Sequence, residues 1–159
     1  MEYYSGVLAD IQAFLGEILT VGTGEADLLT EGICNKHQKG VDDRINSVLS
    51  TTVAVPIIKI TRAEVTKYPD PIPFIAIRMV IASLIATYFK DVQPNDSARA
   101  KSLGEEAIFD LNDLINGLGA GSRRLEGQKL IAKNRFIPSH IAPVPIPGAP
   151  KSGPGGGVG

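Results

Sequence analysis

Apolar residues recur along this chain at helical spacing in four stretches, separated by breaks rich in glycine, proline and small polar residues. Val7, Leu8, Ile11, Leu15, Ile18 and Leu19 form the first stripe, with Ser5 placed as its N-cap and Val21-Gly22-Thr23-Gly24 ending it. A second helix is expected from near Ala26, weakened around Gly32 and Gly40. It carries Leu29, Ile33, Val41, Ile45, Val48 and Leu49 on one side, and Asp42, Asp43 and Arg44 are expected to face water. The third, about Pro73 to Phe89, is apolar nearly all round, which predicts the central helix of a bundle. In the fourth, Ala98 to Asn116, Ala100, Leu103, Ala107, Ile108, Leu111, Leu114 and Ile115 follow the amphipathic rule. Residues 92–97 supply its N-cap, and Gly117, Gly119 and Gly121 close it.

Between the second and third helices two readings stand. Ile58 and Ile60 alternate with Lys59 and Thr61 as in a short strand, while Thr61 to Glu64 has the spacing of a capping box. The Tyr68-Pro-Asp-Pro-Ile-Pro73 cluster then acts as a rigid connector. The predicted class is all-α: a small four-helix-type bundle over residues 1–120. An extended arm over residues 121–159 follows it.

That arm begins basic and ends stiff. Arg123, Arg124, Lys129, Lys133 and Arg135 stand against Glu126 alone, and Leu125 and Leu130-Ile131 flank Glu126-Gly127-Gln128, a spacing that allows a short β-hairpin at the base of the arm. From Pro138 onward the chain is dominated by proline and glycine, yet Phe136, Ile137, Ile141, Val144 and Ile146 give it apolar side chains that a solvated linker would not carry. The Ile141 to Pro147 run has no backbone donor at its prolines and is inclined to polyproline II. Such a segment is suited to lie along another chain, so the basic and apolar positions named here are the candidate partner-binding residues.

Composition narrows the picture further. A length of 159 residues with 43% apolar content suffices for one core, and a net charge of −1 with an isoelectric point near 6.1 gives no overall field toward nucleic acid or membrane. The single Cys34 excludes an internal disulfide. The N-terminus lacks the basic-then-apolar pattern of a signal peptide, and Ile72 to Phe89 is short for a membrane span and carries Arg78 near its middle.

Chemistry is sparse. The histidines are His37 and His140, and no serine or cysteine has a base assigned to it by spacing. Cys34 and His37 are helical neighbours, but two ligands do not complete a zinc site. Asp42-Asp43, Glu105-Glu106, Asp110 and Asp113 read as solvated helix faces. The glycines from 117 to 121 close a helix, whereas a phosphate-cradling loop opens one. No catalytic residue, metal or cofactor is expected. The alternative to an assembly role is a small helical DNA-binding or regulatory module using residues 123–135, without sequence-specific readout.

Taken together, Tyr4 to Gly16, Ile33, the Val41-to-Leu49 block with its Val53-Ala-Val-Pro56 exit, the proline-flanked helix from Pro71 to Phe89 and the helix from Ala98 to Asn116 resemble the head–tail adaptor (connector) proteins of tailed bacteriophages. The resemblance covers residues 4 to 120. It implies a non-enzymatic virion protein of the neck, made in the host cytoplasm. Its partners would be its own copies in a ring, typically of twelve, together with the portal protein and the next neck or tail protein. Non-specific proximity to DNA in the channel and no membrane contact follow from the same likeness. It further implies that the C-terminal extension embraces the portal.

Overall fold

A computed structural model describes residues 2–15, 30–88 and 94–131, with side chains from residue 98 onward in the last of these. Among them are four helices, α1 (Leu8–Leu15), α2 (Glu31–Leu49), α3 (Ile72–Tyr88) and α4 (Pro94–Ala120), and two short strands, β1 (Ile60–Arg62) and β2 (Val65–Lys67). The fold is thus mostly helical, as the hydrophobic spacing predicts, and a small two-stranded antiparallel sheet is added to it.

Local chemistry sets the helix ends. Ahead of α1, Asp10 Oδ2 accepts the Val7 amide at 2.9 Å, and Gly6 turns at φ +84, where a Cβ would meet that carboxylate oxygen at 2.3 Å. Ser5, expected to cap this helix, is instead buried and accepts Gln38 Nε2 at 2.8 Å. Thr30 caps α2 by accepting the Ile33 amide, so that helix starts later than Ala26. Ala26, Leu29, Ile18 and Leu19 lie outside the described residues. At the far end of α4, Gly117 and Gly119 stay within the helix and Gly121, at φ +76, terminates it.

The core forms where the stripes meet. Cys34, Gln38, Val41, Ile45 and Leu49 make one buried seam along α2. Helix α3 buries residues around its whole circumference because it touches α1, α2 and α4 together. Against α4 it packs Ala82 3.6 Å from the position a Gly104 Cβ would take. Arg78 is tolerated within this apolar helix because it pairs with Asp110 at 3.0 Å and Glu106 at 3.8 Å and lies over the Phe74 ring. Asp110 is therefore an ion-pair partner and not a merely solvated position.

The ambiguous 56–67 stretch resolves as a hairpin. Ala63 and Glu64 both adopt left-handed backbone (φ 43 and 69), which closes a two-residue turn and excludes a helical turn there. Tyr4 ties the N-terminus to this region: its hydroxyl donates to Asn46 Oδ1 at 2.6 Å and accepts the Ile57 amide at 2.8 Å. Its ring stands edge-on to Tyr68. The Tyr4 amide lies 3.2 Å from both oxygens of Asp42, which is half-buried and does not simply face water as expected.

Candidate interaction surface

The base of the trailing chain folds back onto the body. After Gly121 the Arg123 amide donates to Gly117 O at 3.0 Å, the Arg123 stem lies over Gly117, and its guanidinium pairs with Asp113 at 2.5 Å. Leu125 enters the core. Gln128 then grips the Ile58 backbone on both sides, its Oε1 accepting the amide at 3.0 Å and its Nε2 donating to the carbonyl at 2.8 Å. Beyond it, Leu130 bridges Val53, the Ala54 amide donates to Lys129 O, and the Ile131 amide donates to Thr52 O, each bond 2.9 Å. The hairpin allowed within 125–131 is not formed. Its residues pair with 52–54 instead, because Val53 offers a buried apolar partner and free backbone groups.

This geometry separates the predicted basic positions. Arg123 is committed to Asp113, and Glu126 is taken by Arg62. Arg124 and Lys129 have exposed side chains. Lys133, Arg135, Phe136, Ile137, Ile141, Val144 and Ile146 lie outside the described residues. Arg123, Leu125 and residues 128–131 thus contact residues within 1–120.

A second feature lies beside the 56–67 connection. A groove of about 560 Å³ opens between the N-terminal residues, the start of α3 and the outer edge of β2, lined by Tyr3, Val7, Phe14, Tyr68, Phe74 and Ile77. Val7 is 56% exposed, Phe74 49% and Phe14 37%. Its two lysines are paired within the chain, Lys59 with Glu2 and Lys67 with Asp70, and Asp10 accepts the Val7 amide. Sequence reasoning assigned Val7 to a buried stripe and Phe74 to a central helix, and so missed the groove. The one available signal was that the all-round apolar α3 begins at a proline-rich connector. Further exposed apolar side chains stand on α4, at Ile108 and Phe109, and beside the docked segment, at Ile58, Leu130 and Ile131.

One pairing has the appearance of chemistry. His37 Nδ1 lies 2.7 Å from Ser83 Oγ, with Tyr88 edge-on to the imidazole. Burial, with Lys36 adding to it, lowers the histidine below its usual range, so the ring is neutral at pH 7. Ser83 sits in the middle of α3, where backbone amides are spent on the helix and none is left to stabilise an oxyanion. The pair is a buried-edge hydrogen bond joining α2 to α3. Cys34, adjacent on α2, is fully buried, and burial raises its thiol. Among the described residues no group of three or more His, Cys, Asp or Glu is arranged to hold a metal ion, and no helix is long and apolar enough to cross a membrane. Every buried polar side-chain atom among them has a hydrogen-bond partner.

Comparison with protein-family models, with curated proteins and with solved structures finds no match to this chain.

Proposed function

We propose that the chain is a non-enzymatic assembly subunit, a head–tail adaptor of a tailed bacteriophage virion. In this reading its body is of four-helix type with α3 at the centre, copies form a ring, and the ring docks on the portal and extends the DNA channel to the next neck component. The observation that carries the reading is the distribution of surface chemistry. Buried polar groups are paired internally, while large apolar side chains, Phe109 at 71% exposure and Val7, Phe74, Ile58 and Leu130 near half, remain uncovered on several faces. Uncovered apolar area on separate faces is what a subunit with different neighbours on each side requires. The resemblance over residues 4 to 120 supplies the kind of assembly.

The test is co-sedimentation of the purified chain with portal rings, followed by electron microscopy of the pellet. Rings seated on the portal are expected. A chain that stays in the supernatant at all concentrations, with a portal competent to bind other neck proteins, would overturn the reading. Truncation for this purpose should follow Ile131 and spare the docked segment, so that loss of binding reports on the arm and not on the body.

A further inference from the structure

The aromatic groove and the proline-rich segment match in chemistry. Proline-rich chains in extended conformation are recognised by aromatic-lined grooves, because flat rings pack on the pyrrolidine faces and the stiff segment loses little entropy on binding. Tyr3, Phe14, Tyr68 and Phe74 supply such rings, and Val7 and Ile77 an apolar floor. Charge agrees as well. Residues 136–150 contain no Asp, Glu, Lys or Arg, and the groove's lysines are already paired with neighbouring carboxylates. Among the described residues β2 pairs only with β1, and its outer edge at Thr66 borders the same groove. Prolines at 143, 145 and 147 fall on alternate residues, so an extended 142–146 presents its amides along one edge only. It can pair with one strand edge and cannot pass the pairing on.

The course of the chain indicates whose groove is filled. Gln128 is held at Ile58, beside Lys59 of the groove, and the next three residues run antiparallel to 54, 53 and 52, away from it. The last described residue, Ile131, is thus paired at Thr52, outside the groove lining, with Lys59 seven positions behind it on the partner stretch. Residues 132–159 follow that point, enough to reach a neighbour.

We propose that the groove between the N-terminus, β2 and α3 receives the Phe136–Pro147 segment of a second copy of this chain. Each copy then gives one arm and takes one, a heterologous contact that rotation can close into a ring. This rests on the assembly reading only in requiring that copies meet. It concerns the chain alone, without portal.

Sedimentation velocity of the full-length chain over a range of concentrations provides the test, with two kinds of variant. Phe74→Ser removes a groove ring, and Val144→Asp with Ile146→Asp charges the arm. Self-association of the native chain is expected, weakened at least about tenfold in either variant, with helical circular dichroism unchanged. Should Phe74→Ser disturb the fold, Val7→Asp tests the groove at a more exposed position. An equimolar mixture of groove and arm variants is the decisive measurement. Each supplies what the other lacks, so the mixture should regain pairwise association. A mixture as dissociated as its parts, or a native chain that stays monomeric, overturns the proposal, the latter assigning the segment to its own groove or to a different partner. Variants that associate like the native chain overturn it too, while leaving the assembly reading to stand on another face. A synthetic peptide of residues 136–147 should compete, and failure of a large excess to do so counts against the segment as occupant.

Discussion

Asp42 illustrates how one side chain escapes its expected role. Burial lifts its carboxyl from 3.8 to about 6, the Asp43 charge adds to the rise, and the Tyr4 amide opposes it. The folded chain therefore holds this proton more tightly than the unfolded chain does. The associated stability is fully present below 3.8 and is lost as pH rises through about 6. Asp42→Asn keeps an acceptor for Tyr4, so it is expected to stabilise the protein by about 1–2 kcal/mol at pH 7, after discounting for partial exposure. The gain should shrink toward pH 4, read by denaturant titration at both values. His37 acts in the other direction. Its lowered folded value makes a contribution that is complete above 6.5 and lost as pH falls. None of this was legible in the chain. Asp42 and Asp43 look alike in sequence, and only the return of Tyr4 to α2, 38 residues away, distinguishes them.

At the scale of elements, the helices were readable and the connections between them were not. Helical periodicity is a local property, and α3 and α4 emerge close to their predicted bounds. The docked segment 122–131 is not periodic. Its pairing with 52–54 joins residues more than 70 positions apart, which no local pattern encodes. The consequence is a sharp expectation for truncation. Deleting 132–159 should leave the melting temperature of the body within a few degrees of the full chain. Deleting 122–159 strips Leu125 from the core and frees the edge at Val53. It should cost about 2–5 kcal/mol, seen by circular dichroism as a melting temperature lower by about 10 °C or more. Equal melting of the two truncations would mean that this segment contributes no stability.

For the molecule as a whole, the decisive quantity is apolar surface and not charge. A net charge of −1, an Arg123 paired with Asp113 and groove lysines paired with Glu2 and Asp70 leave little for ionic strength to screen. Self-association is expected to hold or strengthen when salt rises from about 0.05 to about 0.5 M, since burial of apolar area is not screened. A steep fall over that range, followed by sedimentation, would indicate that lysines and arginines carry the contact. The same experiment with added duplex DNA bears on the basic-segment alternative, whose affinity would drop with salt.

Sequence alone determined that this chain makes a mainly helical body with one central helix, and that an uncharged, proline-rich stretch trails behind a basic one. Those are consequences of spacing and composition, which act between near neighbours. Tertiary structure alone decided that Arg123 pairs with Asp113 of α4, that residues 129–131 pair with 52–54, and that the rings of Tyr3, Phe14, Tyr68 and Phe74 open into one groove. Each of these depends on which distant surfaces remain unsatisfied once the helices have packed, a question settled by long-range contacts that periodicity does not carry.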